Sequence, residues 1–127
     1  MGDAPEMRQY KVGDQVRMRL ELEHEMNLDA VFLLYEHETA KGLVVTLEAE
    51  QFLPGGDIRS EVELSAVIRP HHTPGVYNLL RANLLTTSHR YFRLQDEENL
   101  GMVPERSFRV VEEPSSSPRI ASATPLY

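Results

Sequence analysis

Apolar and charged residues alternate along most of this chain. In the clearest run, 15–24, the apolar residues from Val16 to Leu22 are separated by arginines and glutamates. Successive side chains of a β-strand point to opposite faces, so a period of two indicates a strand with one buried and one solvated face. A second such run spans 58–69. Several such strands in one short chain predict an all-β sandwich or barrel.

Clusters of glycine, proline, asparagine and aspartate divide the chain into seven or eight strands. The predicted strands are 7–12, 15–24, 30–38, 43–52, 58–69, 76–87, 89–94 and 107–112. Only Asp96–Leu100 has the composition of a helical turn. The spacing is typical of an antiparallel sandwich.

The alternation also predicts which side chains form the core. The predicted core positions are Val16, Met18, Leu20, Leu22, Val31, Leu33, Tyr35, Val45, Leu47, Val62, Leu64, Ala66, Ile68, Tyr77, Leu79, Phe108 and Val110. Strict alternation from an inward Tyr77 would place Ala82 and Leu84 outward. We expect a β-bulge at Leu80-Arg81 to return both to the core, since bulges are common where sandwich strands bend.

Composition narrows the classes of function. The length of 127 residues fits one domain, and 41% hydrophobic with 26% charged residues is ordinary for a folded protein. The net charge of -7 argues against binding to nucleic acid or an anionic membrane, because both need clustered cations. The chain has no cysteine, which excludes disulfides, thiolate metal ligands and a cysteine nucleophile.

The chain is expected to divide into a sandwich domain, 1–113, and a flexible C-terminal tail, 114–127, which is rich in Ser, Pro and Ala. The first residues contain no basic region followed by an apolar one, so no signal peptide is predicted. The apolar stretch Ala30–Tyr35 is too short to span a bilayer. A cytoplasmic location is expected if Met1 is the native start.

One short motif carries a family resemblance. Pro74–Leu79 reads Pro-Gly-x-Tyr-x-Leu and resembles the beginning of the penultimate strand of bacterial immunoglobulin-like sandwiches, and Ser107–Val111 is similar to their last strand. The resemblance covers about 12–113. It implies an immunoglobulin-like β-sandwich in which Tyr77 hydrogen-bonds nearby backbone. The sugar-binding sandwich that ends some bacterial polysaccharide exporters has a similar Gly-x-Tyr corner and Phe-x-Val ending. The resemblance favours a binding or spacer module over an enzyme.

Two polar clusters are candidate ion sites. His24, His37 and the His71-His72 pair would bind zinc if three imidazoles met, but none has tight ligand spacing, and exposed loop histidines are the favoured interpretation. Asp96–Asn99 is rich in oxygen but lacks the alternating ligand order of a calcium loop. We therefore expect no metal and no cofactor.

No catalytic residue is predicted, since the chain has neither a Gly-x-Ser-x-Gly elbow nor a glycine-rich phosphate loop. Tyr91 and Phe92 are adjacent and flanked by Arg90 and Arg93. On a strand one of the two rings must point away from the core. They form either a small ligand-facing patch or an aromatic plug over one end of the sandwich.

The strand 30–38 departs from the usual pattern, in which the solvent-exposed face of a sheet carries polar residues. If its odd-numbered apolar residues point inward, Phe32 and Leu34 point outward, where polar residues are usual. In an immunoglobulin-like order the neighbouring strand adds Leu80 or Leu85. We expect this patch to contact a protein partner or a second copy of the chain, unless the loop 88–106 folds over it.

The sequence therefore predicts a non-catalytic protein-interaction or structural module. The alternative is a domain that binds carbohydrate or another small ligand. The candidate binding residues are Phe32, Leu34, Leu80, Tyr91 and Phe92.

Overall fold

The computed structural model describes residues 7–56, 59–112 and 120–126. Within them lie eight strands and one short helix. The elements are β1 Gln9–Tyr10, β2 Gln15–Glu23, β3 Leu28–His37, β4 Val44–Ala49, β5 Arg59–Val67, β6 Gly75–Thr86, β7 Tyr91–Leu94, α1 Glu97–Leu100 and β8 Ser107–Val110. This confirms the all-β class. No helix in these ranges is long and apolar enough to cross a membrane.

The strands form one mixed sheet that is rolled nearly into a barrel. Its order is β1-β8-β6-β3-β4-β5-β2, and β7 also pairs with β6. The pairing of β1 with β8 is parallel, and the other pairings are antiparallel. A single registered pair, Glu48 with Ser65, joins β4 to β5. We call the pair β2 and β5 the β2–β5 layer and the part of the sheet built on β3 and β6 the β3–β6 layer; both contribute to one shared core.

Most predicted core positions are buried, as the alternation requires. The buried set comprises Val16, Met18, Val31, Leu33, Tyr35, Val45, Leu47, Val62, Leu64, Ile68, Tyr77, Leu79, Phe108 and Val110. Leu20, Leu22 and Ala66 are only partly buried against this cluster. The intervening glutamates of β2 and β5 are exposed, which keeps the outer side of that layer wet.

The predicted bulge in β6 is confirmed. Leu34 pairs with Arg81, whereas Tyr35 pairs with Leu79, so Leu80 is the extra residue. One inserted residue changes the parity of a strand. Ala82 is consequently buried, and Leu84 packs against the core.

An aromatic cluster occupies the end of the core where β6 begins. The ring centroids of Tyr35 and Tyr77 lie 4.9 and 5.6 Å from that of Phe108. The hydroxyl of Tyr77 donates a hydrogen bond to the carbonyl of Thr73 at 2.7 Å, as the resemblance implied. That of Tyr35 donates to the carbonyl of Glu105 at 2.6 Å. Burial raises the pKa of both phenols, so they stay neutral donors.

Some predictions fall partly outside the described residues. Ile58, the predicted beginning of the fifth strand, is one case. Of the predicted tail, 114–119 and Tyr127 also lie outside. Residues 120–126 form no strand or helix and are exposed.

Candidate functional site

Four neighbouring strands present a surface that we call the outer face, the side of β4, β3, β6 and β7 directed away from the core. The register places Glu48, Phe32, Asn83 and Arg93 in one row across these strands. Phe32 is half-buried between two polar neighbours. The row has an acidic residue at the β4 end and a basic residue at the β7 end.

Apolar side chains flank this row. On one side Leu85 pairs with Tyr91, a residue that is 60% exposed. On the other side Leu34 pairs with Arg81. Leu80, at the bulge, is half-buried like Leu34. The outer face thus carries Phe32, Leu34 and Tyr91 of the five predicted binding residues, and Leu80 lies at the bulge in the same strand as Arg81.

In the part of the chain that the structure describes, surface charges are paired on the β2–β5 layer but not on the outer face. On β2 and β5, Arg17 pairs with Glu63, Arg19 with Glu61 at 3.1 Å, and Arg59 with Glu23 at 2.9 Å. These cross-strand pairs neutralise that side of the molecule.

On the outer face, by contrast, Glu48, Arg81 and Arg93 form no ion pair with any described residue. The Nε of Arg81 and the Oδ1 of Asn83 are buried and have no hydrogen-bond partner among the same residues. Buried polar atoms are normally paired, so unpaired ones require an explanation. The outer face is therefore the side on which charged groups have no ion-pair partner among the described residues.

Phe92, the fifth predicted residue, lies elsewhere. It points to the inner side of β7 and lines a groove between β2 and the β6–β7 hairpin. The Arg90 guanidinium lies 5.7 Å from its ring centroid, within cation–π range. Tyr91 and Phe92 are thus separated onto opposite faces, as expected, and do not form one patch.

The groove has two adjoining sections of about 650 and 700 Å³. It exists because β7 is short and leaves the second half of β2 incompletely covered. Its apolar floor comprises Leu20, Leu22, Leu33, Ala82, Leu84, Leu94, Leu100 and Val103. Glu23, Arg59 and Asn99 contribute polar groups to both sections.

The segment 88–106 does not cover the outer face in the way that was considered from the sequence. Leu100 and Val103 are buried members of the core and line the groove together with the inward-facing Leu33 and Ala82. The helical part of this segment therefore closes the inner side of the β3–β6 layer. That alternative for Phe32 and Leu34 is wrong.

The histidines have structural partners. His24 and His37 are buried, which corrects the expectation that they are exposed. His24 Nδ1 lies 2.7 Å from the Met26 carbonyl and its Nε2 lies 2.9 Å from Ser60 Oγ. Since a carbonyl only accepts, Nδ1 carries the proton. No group of three potential metal ligands from His, Cys, Asp and Glu occurs in the described ranges.

Asp96 caps the short helix α1. Its side chain accepts a hydrogen bond from the Asn99 amide at 3.1 Å, and the Asn99 side chain donates to both carboxylate oxygens at 2.8 and 3.0 Å. These bonds hold the pKa of Asp96 below its usual value. The cluster begins α1, which carries Leu100 to the core.

Sequence reasoning did not identify the groove. Its lining comes from elements far apart in the chain, and the alternation of β2 predicted Leu20 and Leu22 as ordinary core. One signal was available: Leu100 and Val103 are apolar residues in the long connection 95–106, of which only Asp96–Leu100 was predicted to be helical. Apolar residues in such a segment indicate that it packs against the domain.

Comparisons with known proteins add little. No family model and no curated protein matches this chain. A crystal structure of an uncharacterized protein from Bacillus anthracis is similar at 12% sequence identity, covering 84% of this chain and 77% of that one. The TM-score is 0.41, and at that value the likeness supports no inference about fold or function.

Proposed function

We propose that this domain is a non-catalytic interaction module that binds a protein through the outer face. The observation that carries the proposal is the row formed by Glu48, Phe32, Asn83 and Arg93. It combines an outward aromatic residue with charges that no described residue pairs. Contiguous apolar surface rimmed by polar groups is typical of protein interfaces.

An immunoglobulin-like relationship is part of the same proposal. The neighbours β3-β6-β8 correspond to the C-F-G order of that fold, and the pair β2-β5 corresponds to B-E. The hydrogen bond from Tyr77 to Thr73 is further support. Such sandwiches commonly serve as binding modules, although the fold alone specifies no partner.

The absence of cysteine makes a clean cross-linking experiment possible. Tyr91→Cys, carrying a photoreactive benzophenone on the new thiol, places a probe on the outer face. Glu61→Cys places the same probe on the ion-paired layer as a control. Both are irradiated in extracts of cells that produce the protein, and cross-linked peptides are identified by mass spectrometry.

We expect Tyr91→Cys to cross-link to one defined protein, which includes a second copy of the chain, and Glu61→Cys to give only background. Unlabelled wild-type protein should compete, whereas folded Phe32→Glu should not. Equal labelling from both positions, or equal competition by both proteins, would contradict the proposal.

The groove supports a second candidate, the binding of a small ligand such as a carbohydrate. Phe92 offers an aromatic ring beside an apolar floor, and Arg59, Glu23 and Asn99 supply polar groups at the rim. Pockets of this composition are typical ligand sites. Titration of ¹⁵N-labelled protein with soluble oligosaccharides should shift the amide signals of Leu84, Phe92 and Leu94 first. If the spectra do not change at millimolar concentrations of oligosaccharide, carbohydrate is excluded as the ligand.

A further inference from the structure

We infer that the partner of the outer face is a second copy of this chain, related by a twofold axis parallel to β3 and β6. The inference rests on the proposed function and names its partner. It follows from how charge is distributed along the row Glu48, Phe32, Asn83 and Arg93.

A twofold axis that lies between two facing sheets and runs along the strands reverses the order of strands but keeps the rows aligned. It therefore places β4 of one copy opposite β7 of the other. Glu48 then faces Arg93 of the second copy, and Arg93 faces the second Glu48. Phe32 comes to lie over Asn83 of the other copy, next to Leu85. Both charged ends of the row are satisfied by one operation.

The alternative axis, perpendicular to the strands, is disfavoured by the same charges. It would place each Glu48 against its own counterpart and each Arg93 against its own. Like charges placed face to face penalise an arrangement and so select against it. The row is self-complementary about only the first of the two axes. Closed twofold dimers are also the commonest assemblies of identical chains.

The size of the face predicts a weak dimer. Four strands at about 4.8 Å spacing and about seven residues of β3 at about 3.3 Å rise give at most roughly 19 by 23 Å, because β7 is shorter than its neighbours. That is about 440 Å² of projected area per copy, below the roughly 800 Å² per partner of a typical stable complex. Association should therefore depend on protein concentration, and on salt because two ion pairs contribute.

Charge exchange tests this geometry. Glu48→Arg and Arg93→Glu each place like charges opposite one another twice in the dimer, and each should raise the dissociation constant about tenfold or more in sedimentation equilibrium at low salt. The double variant Glu48→Arg/Arg93→Glu should dimerise like the wild type. An equimolar mixture of the two single variants should form a heterodimer.

Rescue in the mixture separates contact between copies from any effect within one copy, because neither single variant contains the restored pair. Phe32→Glu is a further variant and should give a folded monomer. A wild type that stays monomeric at about 1 mM would overturn the inference. So would a dimer whose dissociation constant is the same for the wild type, both single variants and the double variant. If Tyr91→Cys then still cross-links to a different protein, the proposed function stands without it.

Discussion

The imidazole of His37 lies directly against the backbone of Gly75, where β3 ends and β6 begins. Its Nε2 donates to the Pro74 carbonyl at 2.9 Å, and its Nδ1 accepts from the amides of Thr39 and Ala40 at 3.2 Å each. A Cβ at Gly75 would overlap this ring. Gly75 also has a φ of 140°, in the region that disfavours other residues. One side chain thus ties a turn to the start of the neighbouring strand.

Gly75→Ala should therefore destabilise the fold more than a strained backbone alone explains. Gly42→Ala is the matched control, since Gly42 has a φ of 91° but open space around it. We expect Gly42→Ala to lower the free energy of unfolding by about 1–2 kcal/mol, because of backbone strain. For Gly75→Ala we expect about 3 kcal/mol or more, because hydrogen bonds of His37 are also lost. Urea unfolding measures both, and equal losses would show that the His37 contact contributes nothing.

The two central leucines of the alternating strands should respond differently to truncation. Leu64 is fully buried, so Leu64→Ala should cost roughly 2–5 kcal/mol. Leu20 is only partly buried and lines the groove, so Leu20→Ala should cost about 1–2 kcal/mol. Chemical denaturation of the two variants gives the comparison. A loss below about 1 kcal/mol at Leu64, the scale of surface changes, would contradict its place in the core.

Removing the C-terminal tail should leave thermal stability nearly unchanged. In the described part of the tail, Ile120 and Leu126 are 86% and 96% exposed. Exposed termini without secondary structure contribute little to stability. Truncation after Glu113, followed by calorimetry, checks this. A fall of several degrees in the melting temperature would show that the tail docks on the domain or on a second copy.

His72 should make stability depend on pH near neutrality. Its Nδ1 accepts a hydrogen bond from the Arg69 amide at 2.8 Å, which requires an unprotonated nitrogen. Burial, with His71 and Arg69 nearby, lowers the pKa of His72 below its ordinary 6.5. The unfolded chain therefore binds the proton more readily than the folded one. The contribution of His72 to the free energy of unfolding is complete above pH 6.5 and declines as the pH falls from there towards the folded-state pKa.

Unfolding of the wild type and of His72→Asn across pH 5–7.5 measures this contribution as a difference in slope. The asparagine oxygen can accept from Arg69 without titrating. Asp96 does not interfere, because its lowered pKa confines its contribution to pH values below its ordinary 3.8. Identical slopes in the two proteins would show that His72 is not the group responsible.

The strands and most of the core follow from the amino-acid pattern alone. Period-two alternation is local, because the side chain of each strand residue points opposite to that of its neighbour whatever the strand later pairs with. This is why Val16 and Leu64 were recognisable as buried. The bulge at Leu80 was also predictable, because Leu79 and Ala82 could both reach the core only if the parity of the strand changed.

The way the strands meet depends on the packing of the whole chain, and so does every feature that joins two distant segments. Alternation along β7 already separates Phe92 from Tyr91, but only the rolled sheet provided a groove for Phe92 to line and an outer face for Tyr91. It brought His37 to Gly75 and placed Leu100 in the core, where it lines the groove with Leu33. It also aligned Glu48 with Arg93 across three strand pairings. Register and closure result from the packing of the whole chain, so no single run of residues encodes them.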